Sequence, residues 1–112
     1  MKIIAPLLAL AFASLSHGSL AADQGTTAIS ELGELNGIAL ACEQPALVTR
    51  ARNIVITVAP KTRDYGEVFE NATNAAYLEQ GKGNTACPDA PTLAARIAAA
   101  EKRLQAAFPA AQ

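Results

Sequence analysis

The chain has 112 residues, with 9 lysines and arginines against 10 aspartates and glutamates, and a formal net charge of −1 at pH 7. This length allows one domain, and the weak negative charge disfavours nucleic acid as a partner, because phosphate backbones are bound by basic surfaces. Hydrophobic residues make up 51% of the chain, but only 4% are aromatic, and there is one histidine and no tryptophan. Few side chains are therefore available for catalysis.

Residues 1–21 have the pattern of a secretory signal peptide. Lys2 supplies a positive charge, residues 3–15 are almost entirely apolar, and small residues precede a cleavage point after Ala21. The apolar run of about 13 residues is shorter than the roughly 20 that a membrane helix needs. We therefore expect export to the periplasm or the exterior, no membrane insertion, and one mature helical domain over 22–112.

Cys42 and Cys87 are the two cysteines of the chain. In a small exported protein, two cysteines most simply form one disulfide. Their spacing is far from the CxxC pattern of redox-active pairs, which indicates a structural bridge. A bridge that closes so long a loop contributes about 4 kcal/mol to stability in the chain-entropy description.

The first predicted helix begins at Thr26 or Thr27, either of which can act as a cap, and runs to about Glu43. The polar residues 22–25 before it are expected to be mobile. Apolar residues recur along the helix at every third or fourth position, namely Ile29, Leu32, Leu35, Ala39 and Cys42.

A second helix is predicted from Pro45, a residue typical of a first helical turn, to Val58. Leu47, Ala51 and Ile54 precede Val58 at helical spacing. Residues 54–58 are all β-branched and could instead form a buried strand. We favour the helix, because a strand here lacks a partner elsewhere in the chain.

Two further helices are predicted after the break at Pro60. The third begins at Asp64, with Glu67 as the second half of an acidic capping pair, and ends near Gly81; its expected buried stripe is Tyr65, Val68, Phe69, Ala72, Ala75 and Ala76. The fourth begins between Pro88 and Pro91 with Asp89 as its cap, and Pro109 ends it; its expected stripe is Leu93, Ile97, Ala100, Leu104 and Phe108.

Four helices with short connections predict an all-α fold, a small antiparallel four-helix bundle stapled by the disulfide between Cys42 and Cys87. Many of the inward positions are alanines, so we expect closely packed helices and a thin core.

Gly33, Gly37 and Ala41 form a stripe of small residues on the first helix. Each glycine costs about 1 kcal/mol relative to alanine inside a helix, which indicates that something packs closely there. One interpretation is another helix, from the same molecule or from a homodimer partner; the alternative is a contact groove for a peptide or a small ligand. Asn36 lies on the apolar face of this helix, and we expect its buried amide to bond a facing loop carbonyl rather than a ligand.

Four basic residues gather around the second helix and the loop after it: Arg50, Arg52, Lys61 and Arg63. The simplest interpretation is solvated charge with weak pairing. A charged contact patch for an acidic partner is the alternative.

The sequence predicts no catalytic or metal-binding constellation. The single histidine, His17, lies in the predicted signal peptide, so the mature chain has no imidazole base for a serine or cysteine nucleophile. Asp64, Glu67 and Glu70 cluster at the start of the third helix, where the helix dipole favours acidic residues. We therefore expect a protein that is not an enzyme and that carries no metal or other cofactor.

In layout, a signal peptide followed by a short helical domain with one long-range disulfide resembles small periplasmic acid-stress chaperones and helical periplasmic immunity proteins. The resemblance implies two alternatives, a stress chaperone and an immunity or inhibitor protein. The simplest expectation is a non-enzymatic binding protein of the cell envelope whose partner is another protein or a peptide.

Overall fold

A computed structural model describes the backbone of residues 17–109 and the side chains of residues 24–109. The predicted apolar run of the signal peptide, 3–15, lies outside the described residues. The structure contains α1 (His17–Ala41), α2 (Pro45–Val58), α3 (Arg63–Gly81) and α4 (Ala90–Ala107), and no strand occurs between residues 17 and 109. The predicted all-α four-helix fold is confirmed, and the ambiguous residues 54–58 are the end of α2.

α1 is the central helix, which the other three share. α3 runs parallel to α1, because Gly33 and Gly37 face Phe69 and Thr73 in the same order along the two helices, and α4 runs antiparallel to α1. The direction of α4 follows from two contacts, since Glu31 near the start of α1 pairs with Arg103 near the end of α4, while Cys42 and Cys87 meet at the other end. α2 and α4 also contact each other, whereas the one extended contact of α3 in the described part of the chain is with α1.

The hydrophobic core lies where α1 faces α2 and α4. Its buried residues include Ile29, Leu32, Leu35 and Ala39 of α1, Ala51, Ile54 and Val58 of α2, and Leu93, Ile97, Ala100 and Leu104 of α4. These residues match the predicted helical spacing. Each leucine or isoleucine that is fully buried contributes about 1.5–3 kcal/mol, and the alanines between them let the helices approach.

α1 begins at His17, and the predicted start at Thr26 or Thr27 is wrong. Residues 22–25, expected to be a mobile entry, are part of the helix. Within this extension, Gly25 packs on Phe108, since a Cβ on this residue would lie 2.4 Å from Cζ of Phe108. The bare backbone makes room for the Phe108 ring, and this packing offsets the intrinsic cost of a glycine in a helix. The predicted cleavage point after Ala21 falls inside α1.

α1 ends in a Schellman motif. The N–H of Gln44 donates to the carbonyl of Ala39 (2.9 Å), and the N–H of Glu43 donates to the carbonyl of Leu40 (3.3 Å). Glu43 has a φ of 59°, in the left-handed region that favours glycine. This turn leads directly into α2, which begins at Pro45 as predicted.

The start of α3 differs slightly from the prediction. Its N-cap is Thr62, whose side-chain oxygen accepts a hydrogen bond from the N–H of Tyr65 (3.2 Å), and Asp64 lies in the first turn. The predicted buried stripe is also wrong at one place, since Thr73 is buried and Ala75 is exposed. The reason is that α3 buries only the face that α1 covers, and Thr73 lies at the centre of that face.

The start of α4 is confirmed. Asp89 is the N-cap, and its Oδ1 accepts a hydrogen bond from the N–H of Thr92 (2.9 Å). The predicted disulfide between Cys42 and Cys87 is present, with an S–S distance of 1.99 Å, and it joins the end of α1 to the connection between α3 and α4. None of the described helices combines the length and the apolar character that crossing a membrane requires.

Candidate functional site

α3 of the same chain packs on two of the three small residues of α1. A Cβ at Gly33 would lie 2.6 Å from the carbonyl oxygen of Phe69, and one at Gly37 would lie 2.3 Å from that of Thr73. Real Cβ atoms do not approach so closely, so the glycines permit backbone contact between the helices. We call this contact, formed by Gly33, Gly37, Phe69 and Thr73, the α1–α3 seam. It occupies the stripe at both glycines, while Ala41 lines an open surface pocket beyond it.

Asn36 is completely buried beside the seam. Its Nδ2 donates to Oγ1 of Thr73 (3.1 Å), and the Thr73 hydroxyl is within donating distance of the carbonyls of Phe69 (2.9 Å) and Gly33 (3.1 Å). The partner of Asn36 is therefore a hydroxyl on α3, and the predicted loop carbonyl is wrong. Asn36 Oδ1 has no hydrogen-bond partner among the described residues, which costs about 1–3 kcal/mol.

The four basic residues around α2 each contact a different group of this chain. The contacts are Arg50 with Glu101 (3.8 Å), Arg52 with Glu70 (3.7 Å), Arg63 with Glu67 (3.7 Å), and the Lys61 ammonium with the carbonyl of Ile56 (2.9 Å). Arg50 thus reaches α4, whereas Arg52 reaches α3 and lies 5.8 Å from the centre of the Phe69 ring. The structure does not gather these cations around one common acceptor.

The acidic residues at the start of α3 are also paired, Glu67 with Arg63 and Glu70 with Arg52. Between residues 24 and 109 no three His, Cys, Asp or Glu side chains lie close enough to hold a metal ion.

Large apolar side chains are exposed where α1 and α3 end. Leu40 is 40% exposed, Tyr77 49% and Leu78 65%. An open pocket of about 340 Å³ lies here, and it is lined by Ala41, Tyr77, Leu78, Gly81 and Lys82. We call Leu40, Ala41, Tyr77, Leu78 and Gly81 the terminal apolar surface.

The α1–α3 seam fixes the position of this surface. The backbone nitrogen of Tyr77 lies 2.9 Å from where a Cβ of Gly37 would stand, so the backbone of α3 at Tyr77 is directly beside α1. Sequence analysis missed Tyr77 and Leu78 because both lie outside the predicted stripe of α3. The available signal was two adjacent large apolar residues on the expected polar face of an otherwise polar helix.

Among the side chains of residues 24–109, two ionisable groups have shifted pKa values. The side-chain and backbone hydrogen bonds with Thr92 hold the pKa of Asp89 below its ordinary value. The hydrogen bond and the charge of Glu31 raise the pKa of Arg103. Both pairs are exposed, and both have the geometry of structural contacts, one a helix cap and the other an interhelical ion pair.

Among the described residues, the terminal apolar surface groups three of the exposed large hydrophobic side chains, Leu40, Tyr77 and Leu78, whereas Ile56 is exposed by itself on α2. No known protein-family model, curated protein or solved structure matches this chain.

Proposed function

We propose that the protein is a small exported binding protein of the cell envelope, without enzymatic activity, and that a partner protein or peptide docks on the terminal apolar surface. The observation that carries the proposal is the exposure of Tyr77 (49%) and Leu78 (65%) beside an open pocket. Contiguous exposed apolar side chains mark interaction sites on folded proteins, and tyrosine is enriched among the residues that dominate interface energies.

The support beneath this surface also favours binding. Tyr77 stands on a helix whose backbone contacts α1 at Gly37, so the surface is held in place before a partner arrives. A preformed surface lowers the ordering cost of association. The disulfide at Cys42 fixes the end of α1 directly after Leu40 and Ala41.

The docking site is tested by capture from cell-envelope extract. We expect the wild-type protein to retain a specific partner, and Tyr77→Ser and Leu78→Ser each to reduce its retention about tenfold or more, as for central interface residues. Ile56→Ser is the matched control, because the exposure of Ile56 (58%) lies between those of Tyr77 and Leu78 but the residue is on α2. The captured protein is identified by mass spectrometry and its binding is repeated with purified components. Equal retention by all four proteins would contradict the proposed site.

Export is tested separately. We expect the chain recovered from the periplasm or the medium to have its N-terminus at Ala22, as read from its intact mass. Recovery of the uncleaved chain from the cytoplasm alone contradicts this part of the proposal.

An acid-stress chaperone is the second candidate, and interhelical ion pairs favour it. Glu31–Arg103, Glu70–Arg52 and Glu101–Arg50 join α1 to α4, α2 to α3 and α2 to α4. Each exposed pair contributes about 0–1 kcal/mol. Strong acid gives a protein a net positive charge, and the resulting self-repulsion destabilises a compact bundle that such pairs hold together.

This second candidate predicts that acid loosens the bundle. We expect near-ultraviolet circular dichroism to be lost, dye binding to rise and aggregation of a client protein to fall between pH 7 and about pH 3. A chain that stays packed at low pH and protects no client excludes the chaperone function, while the docking proposal stands or falls with the capture experiment.

A further inference from the structure

A second pocket lies on a different part of the molecule, among α1, α3, α4 and the connection that carries Cys87. It has a volume of about 350 Å³ and shares no lining residue with the terminal apolar surface. This volume is at the lower end of the range found for small-molecule sites. Ile38, Ala76 and Pro88 give the pocket an apolar lining, and Glu34 and Arg96 bring opposite charges to it.

The Glu34 and Arg96 side chains have no partner within the described part of the chain. Neither Glu34 nor Arg96 makes an ion pair or a side-chain hydrogen bond with residues 24–109, whereas Glu79, the other carboxylate of the pocket, is engaged by Lys82 at 3.3 Å. Another glutamate of α1 and another arginine of α4 do form an ion pair. Arg103 of α4 forms a two-pronged contact with Glu31 of α1, with Nε 2.8 Å from Oε1. Glu34 and Arg96 instead stay separate on the lining of an open pocket.

The wall of this pocket is held in place by two connections. Gln80 Nε2 donates to the carbonyl of Thr85 (2.8 Å), which fixes the segment after α3 against its last turn. The disulfide then ties Cys87 to the end of α1. The wall next to Pro88 therefore exists before any ligand binds, which lowers the cost of binding.

We propose that this pocket binds a small zwitterion with an aliphatic body, such as an α-amino acid with an apolar side chain. The ligand carboxylate meets the Arg96 guanidinium, which suits carboxylates because of its planar set of donors. The ligand ammonium meets the Glu34 carboxylate, and the aliphatic side chain packs on Ile38 and Ala76. The proposal is independent of the docking of a partner on the terminal apolar surface.

Leucine and two of its derivatives test the proposal with the full chain. Binding is followed by amide chemical shifts, and we expect leucine to give saturable shifts around Ile38 and Ala76. Leucinamide keeps the ammonium but lacks the carboxylate, and N-acetyl-leucine keeps the carboxylate but lacks the ammonium. Both derivatives should bind about tenfold or more weakly than leucine, since each loses one charge-assisted contact.

Two variants test whether Arg96 binds the ligand carboxylate and Glu34 binds the ligand ammonium. Arg96→Gln should weaken the binding of leucine about tenfold and leave the binding of leucinamide unchanged. Glu34→Gln should weaken the binding of leucine and leave the binding of N-acetyl-leucine unchanged. Arg103→Gln is the control, because it removes an arginine of the same helix outside this pocket. The absence of saturable shifts with millimolar leucine, or equal losses for all three ligands in both charge variants, overturns the proposal.

Discussion

Asn36 and Thr73 form a buried polar pair between two helices whose backbones approach closely at Gly33 and Gly37. The pair satisfies the Asn36 amide nitrogen but leaves its Oδ1 without a partner among the described residues. Small residues alone would tolerate a shift of α3 along α1. The polar pair opposes that shift, because the shift takes the buried amide nitrogen of Asn36 away from its acceptor, Oγ1 of Thr73.

Thr73→Val tests this pair. The substitution keeps the shape of the side chain but removes the acceptor of Asn36 Nδ2, and we expect a loss of about 1–3 kcal/mol in the free energy of unfolding. The double variant Thr73→Val with Asn36→Leu replaces both polar partners and should recover most of that loss. Urea unfolding measures both values, and a double variant no more stable than the single one contradicts the explanation.

Glu43, at the end of α1, has an unfavourable backbone conformation. Its φ of 59° is disfavoured for any residue with a Cβ, so Glu43→Gly is expected to stabilise the protein by about 1 kcal/mol. Glu43→Ala is the control, because alanine retains the Cβ and should give no gain. Thermal unfolding of the three proteins decides the point.

At the scale of elements, the α1–α3 seam depends on close backbone contact. Gly37→Ala places a Cβ against the Thr73 carbonyl oxygen and should cost about 1–3 kcal/mol, since the helices must separate. Gly66→Ala is the matched control within α3. Nothing lies within 4 Å of its new Cβ, so helix propensity alone predicts a gain of about 1 kcal/mol. If urea unfolding shows that both variants change the free energy of unfolding in the same direction, the result contradicts the proposed role of the seam.

The cap of α4 makes stability depend on pH. The pKa of Asp89 is lowered in the folded state, so its contribution is complete above the unfolded pKa of about 4 and is lost as the pH falls through the lower folded value. Asparagine also caps helices but does not titrate. We therefore expect Asp89→Asn to lose less stability than the wild type between pH 6 and pH 2, as measured by urea midpoints. If the urea midpoints of the wild type and Asp89→Asn fall equally with pH, Asp89 is excluded as a source of the acid sensitivity.

The helices themselves were largely predictable, and the exceptions have local causes. Leu93, Ile97 and Leu104 share one face of a regular helix, so spacing alone identified them as core. The helical conformation at Gly25 was missed, and there the bare backbone packs on Phe108, a residue far along the chain that local spacing does not bring into view. Thr73 was missed because its burial follows from the register of α3 on α1, which hydrophobic spacing does not encode.

For the whole molecule, the disulfide is expected to supply a large part of the stability. Replacing Cys42 and Cys87 by alanine should lower the free energy of unfolding by about 4 kcal/mol, against a total of about 5–15 kcal/mol for an ordinary domain. Urea unfolding of oxidised and reduced wild type gives an independent measure of the same quantity. A double variant as stable as the oxidised protein contradicts this estimate.

The candidate sites were less predictable than the fold. The stripe of Gly33 and Gly37 correctly indicated a close neighbour, but its identity required the position of α3. The terminal apolar surface and the pocket at Glu34 and Arg96 each combine residues of helices that are distant in the sequence. Such combinations arise only when the packing of the bundle is known.

The disulfide also divides the chain into a covalent ring and two arms. The ring, closed at Cys42 and Cys87, contains α2 and α3 entirely, while α1 and α4 extend from the closure. A protease that cuts once within the ring, for example in the exposed turn around Lys82, opens it without separating the two fragments. The nicked protein therefore keeps its mass, apart from one added water, until a reductant is present, and a gel run with and without reductant reveals the cut.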